Sequence, residues 1–347
     1  MEMFLDKQVP ESSPLMTHVY ENFERNLRDT VAAARASGAR VIVSTVATNV
    51  KDCAPFASMH RNGLGQDELR TWNALVEQGA NFERARLYAE ALKVYLEAAK
   101  IDDQFAELEF RMARALWMQG DYGGAKQHFQ RARDLDSLRF RADGRINEIN
   151  RSVGASVAGA ELVDAERVLS DQSSNGVIGS DLVYEHVHMT PLGNYLLARA
   201  MFLQIASKMP GGQQAAQQGA SLSARSDDDV LSEADCERLL ALTPHDRTRI
   251  AGEMLQRLQK PPFTNQVNHS DQLLRLAFQA EVPDEDPQQT SAEYQWAIAQ
   301  NPSDRVLRYK YGLFLFGYDR NAAVAQLRLS RPWDGFPVFT PDGVLVQ

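Results

Sequence analysis

The sequence predicts an α/β protein into which helical repeats are inserted. Residues 15–36 place apolar side chains at helical spacing, and Gly38 stands where a helix C-cap glycine belongs. The β-branched run "RVIVSTVATN" follows, and such a run is typical of a strand buried on both faces of a parallel sheet. A second observation, an internal repeat between residues 88–103 and 122–137, predicts paired helices in the middle of the chain.

Composition excludes several function classes. The 347 residues carry a net charge of -9, so no electrostatic footprint for nucleic acid is expected. Every apolar run is far shorter than the roughly 20 residues that a bilayer span needs, so no membrane span is predicted. Cys53 and Cys236 are too few and too far apart for a disulfide framework and are interpreted as reduced thiols. The N-terminal residues carry no secretion signal, and the cellular compartment stays open.

The internal repeat has a period of 34 residues. Its matching positions are Tyr88 and Tyr122, Ala91 and Ala125, Tyr95 and Phe129, Ala98 and Ala132, and Asp102 and Asp136. Gly79 and Ala113 fill the small position of each first helix, which completes the tetratricopeptide signature. Two repeats are fewer than independent stability usually needs, so we expect residues 71–137 to lean on a neighbouring domain and to offer a groove to a protein or peptide partner.

The C-terminal third predicts more helices. Residues 209–229 are rich in Gly, Gln, Ala and Ser and are interpreted as a flexible linker. Residues 230–347 contain helix starts at Ser232, Thr243 and Ser270. Within them "EYQWAIAQNPSD", followed by a predicted helix pair, repeats the earlier pattern and predicts a second, tetratricopeptide-like region.

The stretch "EHVHMTPLGN" carries the candidate chemistry. Thr190 is the predicted N-cap of a helix whose first position is Pro191. "AELVDAERVL" upstream predicts a short strand and an acidic turn, which places His188 in a loop beyond a strand and before a helix. Glu185 precedes His188 by three residues, the arrangement that a hydrolase uses for a general base oriented by an acid.

These residues resemble the SGNH, or GDSL-type, ester hydrolases, whose last sequence block is an acid, two residues and the catalytic histidine. The helix and strand of residues 15–60 look like the elements that precede this block. The likeness is greatest to a bacterial subgroup that carries tetratricopeptide repeats. It implies a partial SGNH-like, flavodoxin-like three-layer α/β domain in residues 1–70 and 138–208, with His188 as the base and Glu185 as its acid. The implied substrate is an acyl ester, and no cofactor or metal is implied.

The sequence departs from the family pattern at the nucleophile. It contains no Gly-Asp-Ser, and Ser180 in "IGSD" follows no predicted strand. The family's oxyanion asparagine belongs in an earlier segment, so Asn49 is interpreted as a strand-end cap or loop former. The resemblance therefore predicts an N-terminally incomplete hydrolase that is inactive as given. The alternative is a tetratricopeptide interaction scaffold that keeps a vestigial hydrolase domain.

Three further residues have open interpretations. His186 is either a polar loop residue or a substrate contact, and with His188 it offers too few ligands for a metal without another partner. Ser58 and His60 lie in a predicted loop, and they either line a pocket mouth or only connect strand and helix.

Overall fold

A computed structural model describes residues 1–207, 230–281 and 286–331. The chain divides into two compact units, of which unit 1 comprises residues 1–222 and 257–272, and unit 2 comprises residues 223–256 and 273–347. The N-terminal α-helices are α1 (Pro14–Ala36), α2 (Gln66–Arg84), α3 (Tyr88–Ile101), α4 (Ala106–Met118), α5 (Tyr122–Leu135), α6 (Gly144–Ser156), α7 (Ala165–Gln172) and α8 (Pro191–Ala206). The later α-helices are α9 (Glu233–Leu239), α10 (Pro244–Leu258), α11 (His269–Gln279), α12 (Pro287–Gln300), α13 (Arg305–Leu315) and α14 (Arg320–Leu329).

The prediction of a three-layer α/β domain is wrong. Within the described residues the sheet consists of two parallel strands, β1 (Val41–Ser44) and β2 (Ala160–Val163), and helices make up most of the rest. A three-layer domain needs a wider sheet covered on both faces. The apolar sequence of one strand indicates that it has a parallel neighbour, but it does not determine how many strands the sheet contains. The acidic turn expected after β2 is instead the helix α7, whose N-cap is Asp164.

The two strands pack against helices α1 and α6. Val31, Val43, Ile149 and Val153 form one buried cluster there. The helix predicted before Gly38 is confirmed by α1, in which Ser13 is the N-cap. Strands β1 and β2 pair in a parallel register in which Val43 lies opposite Leu162. After β1, residues 47–50 are buried.

Helices α2 to α5 form two successive helix pairs in the repeat region. Gly79 lies against the ring of Tyr95, so closely that a Cβ atom would lie 2.3 Å from Cε1. At the same positions of the next pair, Ala113 and Phe129 are both buried in one cluster. That cluster also contains Val50, which lies outside the repeats. The second helix pair therefore shares a core with the rest of unit 1.

The segment of residues 56–61 binds two aspartates of the repeats. Asp136 accepts hydrogen bonds from the backbone N–H groups of Phe56 at 2.9 Å and Ala57 at 3.1 Å. Asp102 accepts from Nδ1 of His60 at 2.7 Å. Both aspartates are buried, and these hydrogen bonds satisfy their carboxylate oxygens inside the protein.

Unit 2 has its own polar and apolar core. Asp246 is almost fully buried, and it accepts a hydrogen bond from Tyr294 at 2.9 Å and pairs with Lys310 at 2.8 Å. The helix starts at Ser232 and Pro244 are confirmed by α9 and α10. The tetratricopeptide-like character of this region stays a prediction. The linker predicted at 209–229 lies outside the described residues.

Candidate active site

The Glu-His stretch forms a tight loop directly before α8. The backbone N–H of Tyr184 donates to the carbonyl of His188 at 2.8 Å, and that of Thr190 donates to the carbonyl of Leu182 at 2.9 Å. The helix start predicted here is confirmed, because Thr190 is the N-cap of α8 and accepts a hydrogen bond from its third helical residue. Helix α7 stands between β2 and the loop, so the histidine does not follow the strand directly as expected.

Glu185 is fully buried and its carboxylate turns back over the loop. Oε2 accepts from the backbone N–H of Val187 at 2.8 Å and contacts the backbone N–H of His186. Burial raises the pKa of this carboxyl, but the neighbouring imidazoles and the Val187 amide outweigh burial and lower the pKa to about 2. Glu185 is therefore ionised at neutral pH even though no part of it reaches solvent.

The other oxygen of the same carboxylate holds His188. Oε1 of Glu185 contacts Nδ1 of His188, whose side chain is 45% exposed. A carboxylate at Nδ1 fixes the tautomer that carries its proton on Nδ1 and leaves Nε2 as the basic nitrogen. The two predicted site residues are thus brought together, with the acid inside and the imidazole at the surface.

His186 is a buried residue with a packing role. Its ring lies between those of Phe56 and Phe263, with centroids 5.4 and 5.5 Å away and both contacts edge-on. Nδ1 of His186 lies 2.5 Å from Oε2 of Glu185, so this carboxylate contacts both imidazoles. His186 is a loop residue, as one of the two interpretations has it, and it is buried; a substrate contact stays a prediction.

Three residues of the loop could in principle bind a metal ion. Glu185, His186 and His188 each offer one ligand atom, and these atoms lie within 4.8 Å of one another. A tetrahedral zinc ion, with bonds of about 2.0 to 2.1 Å, holds its ligand atoms roughly 3.3 Å apart. Here Nδ1 of His186 and Nδ1 of His188 each lie much closer than that to a carboxylate oxygen of Glu185. The geometry favours an acid shared by two imidazoles over a metal centre.

The other sequence candidates have different partners. The hydroxyl of Ser180 donates to Asp52 at 2.9 Å. The hydroxyl of Ser58 accepts from the backbone N–H of Glu107 at 2.9 Å. His60 packs against aromatic rings and binds the first repeat. Ser58 and His60 therefore connect the loop to the repeats.

The sequence did not single out the aromatic and ionic support beneath the loop. The guanidinium of Arg141 is buried, pairs with Asp136 at 3.0 Å and lies over the ring of Phe56 at 5.6 Å. In the sequence Asp136 stands out only as a repeat position, and Phe56 does not stand out at all. No local pattern marks these residues, because their contacts join distant segments.

A cleft of about 540 Å³ lies among β2, α7 and α8, where Tyr195, Leu196 and Arg199 form part of its wall. No helix within residues 1–207, 230–281 and 286–331 is long and apolar enough to cross a membrane.

No protein-family model matches the chain, and no curated protein matches it significantly. The chemistry of Glu185 and His188 is therefore the basis for assigning a function.

Proposed function

We propose that Glu185 and His188 are the acid and the general base of an ester hydrolase or acyl transferase of Ser-His-Glu type. The observation that carries this proposal is the contact between a buried, ionised carboxylate and Nδ1 of a half-exposed imidazole. In such a reaction Nε2 of His188 takes the proton of an attacking serine hydroxyl. The Glu185 carboxylate then stabilises the imidazolium that forms.

Among the other imidazole-carboxylate pairs in the described residues, two are hydrogen-bonded through Nδ1 and provide a comparison. Nδ1 of His128 lies 2.6 Å from Glu109, and Nδ1 of His60 lies 2.7 Å from Asp102. The side chains of His128 and His60 are about a third exposed, at 31% and 30%. His128 joins two helices of the repeats and His60 joins the segment of residues 56–61 to the first repeat, whereas the more exposed His188 lies on a loop before a helix. Of these three hydrogen-bonded pairs, that of His188 has the most exposed imidazole, which favours His188 as the reacting base.

The proposal requires a nucleophile that the described contacts do not provide. Ser180 is bonded to Asp52, and the sequence contains no Gly-Asp-Ser. Without a nucleophile and oxyanion donors, a base and its acid supply little acyl transfer, because these groups act as a unit. The residues that the structure describes do not identify the proposed serine.

Labelling with a fluorophosphonate, a probe for activated serines, tests the proposal. We expect the protein produced in its own host to be labelled on a serine. His188→Ala abolishes labelling, while His128→Ala, the matched control, keeps it. Equal labelling of the two variants, or no labelling of the native protein, contradicts the proposal.

A protein-interaction scaffold is the second candidate. The observation in its favour is the repeated packing of Gly79 against Tyr95 and of Ala113 near Phe129, 34 residues later. Stacked helix pairs of this kind present a concave surface to peptides and proteins. If binding is the activity, a partner is retained equally by the wild-type chain and His188→Ala. A partner lost with His188→Ala counts against the repeats as the binding surface.

A further inference from the structure

Asn49 follows β1 and is fully buried beside the candidate site. Its side-chain Nδ2 donates to the carbonyl oxygen of Val183 at 3.0 Å. Its backbone N–H donates to the carbonyl oxygen of His186 at 3.1 Å. Those two carbonyls lie on either side of Glu185 in the chain. Asn49 thus holds the loop before and after the residue that contacts His188.

Asn49 is itself held in place by its remaining polar groups. Oδ1 accepts from the backbone N–H of Asp52 at 2.8 Å, and the backbone carbonyl accepts from Nη1 of Arg141 at 3.0 Å. Arg141 is fixed in turn by its buried pair with Asp136. Because its side-chain and backbone groups are both hydrogen-bonded, Asn49 is fixed relative to the residues around it and does not move with the loop.

The amide group is the feature that this position requires. An amide donates through Nδ2 and accepts through Oδ1 at the same time. A carboxylate can keep the bond from the Asp52 amide but has no proton to give to Val183. The buried carbonyl of Val183 is then left without a donor, which favours loop conformations that expose this carbonyl to water.

We propose that Asn49 is a positioning residue that sets the path of residues 183–188 and thereby aims Oε1 of Glu185 at Nδ1 of His188. It touches neither substrate nor the reacting nitrogen and acts through the loop. Its catalytic meaning rests on the proposed function. Its effect on the Glu185 and His188 contact does not, since that contact is present in the protein without a substrate.

The test is the exchange with water of the proton on Nδ1 of His188, measured by NMR on the full 347-residue chain labelled with ¹⁵N-histidine. The signal is identified by its loss in His188→Gln. In Asn49→Asp we expect exchange to accelerate by about tenfold, because the loop opens more often. Asn49→Ser, which keeps the backbone bond to His186 and removes only the amide, accelerates exchange in the same direction.

Asn147→Asp is the matched control. Asn147 is also a fully buried asparagine near the end of β1, where it exchanges two hydrogen bonds with the backbone of Val46 at 2.8 and 2.9 Å. Its substitution has a comparable structural cost without touching the loop, so exchange at His188 stays within about twofold of wild type.

Unchanged exchange in a folded Asn49→Asp or Asn49→Ser variant, or equal acceleration by Asn147→Asp, overturns the positioning role. This readout needs no ester hydrolysis. A protein that hydrolyses no ester but shows faster exchange in the Asn49 variants keeps the positioning role and loses the proposed function. A protein that hydrolyses esters but shows unchanged exchange in the Asn49 variants keeps the proposed function and loses the positioning role.

Discussion

Asp102 and Asp136, which are 34 residues apart and occupy the same position in successive repeats, both bind the segment of residues 56–61. Within this segment Asp136 binds the backbone amides of Phe56 and Ala57, and Asp102 binds the imidazole of His60 and the backbone amide of Arg61. Asp136 also pairs with the buried Arg141. One chain segment therefore uses an equivalent site of each repeat. This contact explains how two repeats can be stable within unit 1.

Asp136→Ala should destabilise the protein by about 3 to 5 kcal/mol, because it leaves the buried guanidinium of Arg141 without its counter-ion. Asp102→Ala should cost less, about 1 to 3 kcal/mol, because its partners are the partly exposed His60 and backbone amides rather than a buried guanidinium. Denaturant unfolding measures both losses. The neighbouring Asp103, which is exposed, provides the control Asp103→Ala with a change near zero. A larger loss at Asp102 than at Asp136 contradicts this ranking.

Gly79→Ala should destabilise the first repeat by about 1 to 3 kcal/mol, because the added methyl group meets the Tyr95 ring. Gly252 in α10 is the control, since a Cβ atom there has nothing within 4 Å. Gly252→Ala should stabilise by up to about 1 kcal/mol through helix propensity alone. The double variant Gly79→Ala, Tyr95→Leu should recover part of the loss. Thermal or urea unfolding that ranks the two glycines equally refutes the close packing of Gly79.

Glu185 should make stability depend on pH in acid. Its pKa is about 2 in the folded protein against a usual 4.5, so its contribution is complete above pH 4.5 and disappears as pH falls toward 2. This contribution is about 3 kcal/mol at most. The difference in unfolding free energy between wild type and Glu185→Gln should therefore shrink on acidification from pH 5 to about 2.

Urea unfolding at several pH values measures that difference, and Glu148→Gln, on an exposed side chain, is the control with no such trend. A wild-type advantage that stays constant between pH 5 and pH 2.5, or grows on acidification, shows that the Glu185 carboxyl is not held ionised by the loop.

Local patterns predicted the local structure well. The N-cap at Thr190, the helix before Gly38 and the strand at Val41–Ser44 all follow from short-range signals and are confirmed. The contact of Glu185 with His188 was also visible, because the two residues are three apart. Sheet width was predicted wrongly, since it depends on pairing between distant segments.

The contacts that hold the loop of residues 183–188 could not be predicted from the sequence, because they too join distant segments. The bond from Asn49 to Val183 spans 134 residues, and the pair of Arg141 and Asp136 acquires its meaning only when residues 49–56 pack over it. Asparagine after a strand is a common loop residue, so its type alone carried no signal. Only the folded chain brings its amide to the Glu185 loop.

The rate of hydrolysis of a short-chain p-nitrophenyl ester by the protein produced in its own host tests the central claim most directly. With Glu185 and His188 as acid and base, His188→Ala lowers kcat by about 10³-fold or more, while His128→Ala changes it by less than about twofold. Wild-type kcat in His188→Ala, or no hydrolysis by the wild-type protein, contradicts the claim.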